Sequence, residues 1–325
     1  MDTDYPNDGK DSNSNLPAAN PSYNTSSSYV NTDQINPASL SALEQTATTG
    51  DLIIVTEPVI PLSDYLDSLQ NDSSLTNTER ANAVGYGIYT LIHALTFLHN
   101  NAKVAHGNLC PHAIYVTPSG DFKLSSLQLL TPIGIEDGAS GPTPHYQHFE
   151  RDITPNLYRS PERIEGRWDA ISTSPIHVMD AYALGVLLPE IYSHLGSGTN
   201  GQLPQKLEKA CRRLSSQSLS ARPRVGPLTR CPVFDTDCIK AHSFLDTLAT
   251  QDVEAKIIFW KSLPDLLNTK KALSAHVAKY KVLPLLQSTI VHLTNLDIGL
   301  TQDVHKRECL SLLPTLFHTV PLQPI

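Results

Sequence analysis

The residues of this chain that could do chemistry fall into four groups. His106, Asn108, Cys110, Asp121 and Ser126 share the stretch 103–130, where an imidazole, an amide, a thiol, a carboxylate and a hydroxyl could handle protons or a metal. His145 and His148 invite a metal reading, but no third ligand lies nearby in sequence, and a solvated loop is the preferred reading. Cys231, Cys238 and His242 form C-x6-C-x3-H, which is not a usual zinc spacing. Gly196-Ser197-Gly198-Thr199-Asn200-Gly201 matches G-x-G-x-x-G, yet it follows a helical stretch, 180–195, and no acidic residue closes a βαβ unit. It reads as an inter-helix loop. No metal and no cofactor is expected from these patterns.

The stretch 103–130 reads as strand, turn, strand. Ala113–Thr117 and Phe122–Ser125 are the apolar runs, and Pro118-Ser119-Gly120-Asp121 carries turn chemistry between them. This layout resembles the protein-kinase catalytic segment, in which His-Arg-Asp opens a loop, a hairpin follows and Asp-Phe-Gly closes it. His106 keeps its place, but Gly107 stands where Arg would be and Asn108 where the catalytic Asp would be. Cys110 replaces the loop Lys, Pro111 is retained, and Ala113 replaces the metal-binding Asn. Ser126-Leu127-Gln128 fills the Asp-Phe-Gly slot.

Phosphoryl transfer needs a carboxylate to orient the nucleophile and oxygen ligands to hold magnesium on the phosphates. The amide of Asn108 does not accept a proton at neutral pH, and Ser126 offers a neutral hydroxyl to a hard dication. Asp121 is the nearest spare carboxylate. Five residues of strand separate it from Ser126, ~16 Å at ~3.3 Å per residue, too far to substitute. The expectation is a kinase-like frame that is not an enzyme.

Other segments extend the resemblance. Tyr158-Arg159-Ser160-Pro161-Glu162 is similar to the Ala-Pro-Glu segment, Asp180–Val186 to the start of the buried large-lobe helix, and Arg222-Pro223 to the Arg near the lobe's end. The resemblance implies that Glu162 pairs with Arg222 and that Asp180 accepts backbone hydrogen bonds from the loop around His106. Thr76–Glu79 is a capping box. It opens a helix with apolar residues at Ala81, Val84, Ile88, Leu91, Ile92, Leu95 and Leu98, weakened by Gly85 and Gly87. Upstream, Leu52–Glu57 reads as a short strand, Pro58–Leu62 as a hinge and Leu62–Leu69 as a short helix. Residues 131–157, rich in Pro, Gly and His, read as an exposed loop in the activation-segment position. Pro189 is expected to kink its helix. Between Lys10 and Lys103 there is no lysine and no G-x-G-x-x-G, so most of the small lobe is expected to be missing.

Composition bounds the rest. A chain of 325 residues, 40% apolar, has room for two domains. Net charge is −8 with no Lys/Arg-rich run, so there is no direct nucleic-acid signal. Five widely spaced cysteines suggest free thiols in a reducing compartment. No run approaches 18 apolar residues and no signal region opens the chain, so no transmembrane segment and a cytoplasmic location are expected. Residues 1–50, dominated by Ser, Thr, Asn, Asp and Pro, read as a disordered tail.

From about Ala241 the pattern is continuously helical. Residues 242–250, 252–267, 274–293 and 303–319 read as paired helices of an α-solenoid. Lys281-Val282-Leu283-Pro284-Leu285-Leu286, taken with His106-Gly107-Asn108, resembles the Scyl pseudokinase family, the N-terminal-kinase-like proteins. That resemblance implies a mainly α (α+β) fold: a protein-kinase-like large lobe lacking most of the small lobe (51–240), then the start of a HEAT-type α-solenoid (241–325). It also implies a scaffold role in Golgi–ER traffic through coat or trafficking components, or in tRNA export, with a location peripheral at Golgi membranes. Self-association through the helical tail is a further expected partner mode. Residues alone leave two alternatives open, an unconventional ATP-binding kinase and a pure HEAT-type adaptor.

Overall fold

The structure is a computed structural model that describes residues 56–133, 141–195, 203–294, 300–314 and 316. The expected disordered tail, residues 52–55 of the expected first strand and the glycine motif at 196–201 lie outside the described residues. Thr56 and Glu57 are described and belong to no strand. Within residues 54–325, which form one compact unit, a small antiparallel sheet sits on a helical body.

Strand β1 (Ile60–Pro61) pairs with β2 (Ile114–Val116), and β2 with β3 (Phe122–Leu124). The hairpin register sets Ile114 opposite Leu124 and Val116 opposite Phe122. Alternation explains it: Ile114, Val116 and Phe122 are buried while Lys123 is exposed. Gly120 takes a positive φ of 86° in the turn, which closes through Gly120 N–H donating to Thr117 O at 2.9 Å.

Helix α1 (Leu62–Asn71) follows β1 directly, and α2 (Asn77–Phe97) opens on the capping box, with Thr76 and Glu79 satisfying each other's backbone N–H groups. The close approach of β3 explains Gly87. A Cβ there would lie 2.2 Å from the Phe122 ring, so only glycine lets the hairpin seat on the helix. Thr90 Oγ1 accepts from Phe122 N at 3.1 Å beside that contact.

The stretch expected to be an exposed loop, 131–157, contains a helix, α3 (Pro144–Ile153). Thr143 Oγ1 accepts from Tyr146 N at 3.2 Å, Pro144 occupies the first turn, and Tyr146 and Glu150, one turn apart, are buried. A cap, a pre-set φ and a shared buried face outweigh the loop-like composition.

Helix α4 (Val178–Ser193) runs through Pro189, followed by α5 (Gln205–Leu214), α6 (Asp237–Asp246), α7 (Val253–Pro264), α8 (Leu283–Thr294) and α9 (Leu300–Ser311). The hydrophobic core is continuous from Leu62 to Leu316, with α6 packed on α2 and α9 packed on α7 and α8. Two of the expected solenoid helices carry π-turns, at Asp265–Thr269 and Ala278–Val282. Among the described residues no helix is long and apolar enough to cross a membrane.

Candidate functional site

The loop 105–113 connects α2 to the hairpin, and its backbone is pinned from below by α4. Asp180, in the first turn of α4 and 1% exposed, accepts from His106 N at 2.7 Å and from Gly107 N at 2.9 Å. His99 Nε2 lies 2.8 Å from the same carboxylate. Burial would push the Asp180 carboxyl up, but the His99 contact and the backbone donors hold it below the usual carboxylate range. Composition gives no hint of His99 in this role. Its place at the end of α2, just before the π-turn Leu98–Ala102, is what delivers it.

His106 is fully buried. Its Nε2 donates to Ser125 O at 2.8 Å, and its Nδ1 accepts from Asn108 N at 3.3 Å, so both ring nitrogens serve the backbone. Gly107 has a φ of 74°, and a Cβ there would sit 2.5 Å from the Tyr146 hydroxyl and 2.8 Å from Leu129 O. No arginine fits that space.

Asn108 is 3% exposed and turned into the protein. Its Oδ1 accepts from Thr154 Oγ1 at 2.9 Å, with Cys110 Sγ at 3.8 Å. Cys110 is buried, which pushes its thiol up and away from thiolate chemistry. Ala113 contributes only a buried methyl group. Ser126 adopts a left-handed φ of 59° and is partly exposed beside exposed Leu127. Asp121 lies at the far end of the hairpin, bound to Tyr86 at 2.5 Å and Lys281 at 3.2 Å. The loop is thus brought together as a backbone bracket, and the side chains of His106 and Asn108 point at the chain itself.

A layer over the loop escaped the sequence. Glu150 of α3 is fully buried between Arg159, at 2.8 Å, and Arg163, at 2.6 Å. Arg163 also approaches Thr154, the residue that holds Asn108. The signal that could have found it is Thr143-Pro144 followed by Tyr146 and Glu150 at helical spacing. His145 and His148 of the same helix flank Phe149, with ring centroids 4.3 and 5.7 Å away.

Glu162 and Arg222 meet in a two-pronged ion pair at 2.5 and 2.8 Å, both side chains fully buried. Arg222 also donates to Ser216 O and Val178 O, which ties the pair to the start of α4. Burial alone would raise the Glu162 carboxyl, and the Arg222 hydrogen bonds lower it. Cys238 Sγ contacts Asn82 O, and His242 stacks on Tyr86 at 3.6 Å, so two of the three residues weighed for zinc pack against α2.

No family model matches the chain. A Dictyostelium discoideum protein named "Probable inactive serine/threonine-protein kinase scy1" is 26% identical over 256 residues, covering 77% of this chain and 29% of that protein. The Mus musculus "Protein-associating with the carboxyl-terminal domain of ezrin" is 25% identical over 260 residues, covering 79% of this chain and 32% of that protein. The Homo sapiens "SCY1-like protein 2" is 24% identical over 242 residues, covering 64% and 24%. The chain therefore spans a third or less of the length of these relatives. The crystal structure of Cex1p matches with a TM-score of 0.52 and 18% identity, over 82% of this chain and 46% of that one, a likeness of fold. With the bracketed His106-Gly107-Asn108 loop and the helical tail on one core, the chain is similar in sequence to SCY1-like kinase-like proteins.

Proposed function

We propose that this chain is a catalytically inert, protein-kinase-like scaffold that presents its large lobe and helical tail to protein partners. The observation that carries the reading is Asn108, a buried amide held by Thr154 where a kinase places its catalytic carboxylate. A general base must reach its proton within about 2.6–3.2 Å, and this amide is neither basic nor turned outward. Ala113 and Ser126 leave the magnesium positions without a carboxylate. The names of the relatives support the reading: one is called inactive, and another is named for association with ezrin's carboxyl-terminal domain. By family resemblance the partners are coat or trafficking components at Golgi–ER membranes, the alternative being tRNA export. The division of labour follows 51–240 as platform and 241–325 as helical extension.

The test is to incubate the full chain with magnesium and γ-labelled ATP, alone and with a generic protein substrate. The expected result is no transferred label, and no melting shift on adding ATP and magnesium. Label that disappears in Asn108→Ala or Ser126→Ala would overturn the reading.

A further inference from the structure

Between Glu208 and Asp235 the sequence holds six cations and no carboxylate, in a chain of net charge −8. The fold uses one of them, Arg222, in the buried pair with Glu162. Arg212 pairs with Glu208 on the surface of α5. Lys209, Arg213, Arg224 and Arg230 are exposed and have no ion-pair partner among the described residues. Helix α5 buries Leu207, Cys211 and Leu214, which leaves Lys209, Arg212 and Arg213 in solvent. Cations concentrated this way repel one another, and of the six only Arg212 and Arg222 have an ion-pair partner among the described residues.

A groove of about 620 Å³ opens to solvent beside this surface, between α2, the turns at 226–234 and α6. Its apolar side is Tyr89, Phe234, Ile239 and Phe244. Tyr89 and Phe234 have ring centroids 6.0 Å apart, and Phe244 is stacked on Phe259 at 4.4 Å, so the aromatic wall is set in advance. Thr229, Ser243 and Gln251 supply polar groups around it. Helix α5 packs against Pro232–Phe234, and Pro232 and Phe234 line the groove. Arg230 belongs to both features, ending the cation run and lining the groove. Lys240 in the same lining is paired with Asp235 at 2.7 Å, so Arg230 is the unpaired charge there.

We propose that this groove binds a short extended peptide from a partner protein, in which aromatic or aliphatic side chains alternate with Asp or Glu. The aromatic wall takes the apolar side chains. The polar groups around it satisfy peptide backbone, which an open groove admits along its length. Arg230 takes a carboxylate through its planar fork, and the α5 cations steer an acidic chain toward it. An anionic bilayer is the less favoured occupant, because the apolar groups line a concavity rather than project from the surface. None of the lining residues belongs to the His106–Ala113 loop. The proposal deepens the scaffold reading by naming the chemistry of one partner. Label transfer from ATP tests that reading, and peptide binding tests this one separately.

The experiment titrates the full chain into a fluorescein-labelled peptide of repeating Asp-Phe-Glu-Leu. The comparisons are a peptide with Lys and Arg in the acidic positions, mixed phosphatidylserine–phosphatidylcholine vesicles and a single-stranded oligonucleotide. The acidic peptide is expected to bind at least about tenfold more tightly than the basic one, and to weaken as salt is raised. Arg230→Glu is expected to weaken it about tenfold or more. Ser243→Trp, which fills the groove, is expected to abolish binding, while Lys103→Glu, the same charge change elsewhere, leaves it unchanged. Circular-dichroism melts of each variant confirm that the fold persists. Equal binding of the two peptides, or binding indifferent to Arg230→Glu and Ser243→Trp, overturns the proposal. So does tight binding of vesicles or oligonucleotide with none of the acidic peptide.

Discussion

Replacing Arg222 by Ala isolates the strongest tie between the Ala-Pro-Glu-like turn and α4. In the native protein its guanidinium meets both oxygens of Glu162 and two main-chain carbonyls, with neither side chain exposed. Truncation leaves a buried carboxylate without its counter-charge, and removing one partner of such a pair costs about 3–5 kcal/mol. That is a large part of the ~5–15 kcal/mol by which a domain is stable, so loss of soluble protein or a steep fall in melting temperature is expected. At roughly 2–4 °C per kcal/mol for a domain of this size class, the drop is about 6–20 °C, readable by differential scanning fluorimetry. The double variant Glu162→Leu/Arg222→Met removes both charges and recovers much of the loss, because no uncompensated charge remains. The pH dependence carries its own sign. Glu162 is held below its ordinary value of 4.5 in the folded protein, so the pair's contribution is complete above that pH. It fades as pH falls through the lowered folded value. An Arg222→Ala protein melting like wild type at neutral pH would refute the reasoning.

Two further outcomes follow from the junction between lobe and helical tail. His242 is buried against Tyr86 with Nδ1 unpartnered, and burial pushes its imidazole from 6.5 down to about 3. The folded protein therefore resists a proton that the unfolded chain accepts, and stability falls by about 1.4 kcal/mol per pH unit below 6.5. His242→Phe should flatten that slope in urea titrations between neutral and mildly acidic pH, and an unchanged slope would show that another group sets it. Lys281, within the π-turn Ala278–Val282, joins Asp121 of the hairpin turn at 3.2 Å to Asp246 of α6 at 2.6 Å. Lys281→Met should cost about 1–3 kcal/mol, less than a fully buried pair because Asp246 is half-exposed. Amide exchange should quicken selectively over 275–294, and uniform exchange across the chain would contradict the tie.

Much of the frame was legible before any coordinates. Thr76 and Glu79 announce the start of α2, and the alternation of Ile114, Val116 and Phe122 around a Gly120 turn dictates the hairpin register. These are local decisions, taken between residues a few positions apart, where capping and period-two burial act directly. The chemistry open to Asn108, Ala113 and Ser126 is likewise read from type alone, because an amide, a methyl and a hydroxyl have fixed proton and metal chemistry wherever they lie.

What only the tertiary structure decided are pairings across long stretches of chain. The Thr143-Pro144 start of the helix at 144–153 is local, but the pairing of its buried Glu150 with Arg159 and Arg163, which seals the loop below, is not readable from composition. Gly107 is required by the Tyr146 hydroxyl, and Gly87 by the Phe122 ring, neither of them a sequence neighbour. Lys281 looks like one charge among 24 until its π-turn delivers it to Asp121 and Tyr86. The reason is common to all of them. The free energy of a buried charge or of a missing Cβ depends on what the closed chain brings within a few ångströms, and sequence spacing carries no measure of that distance.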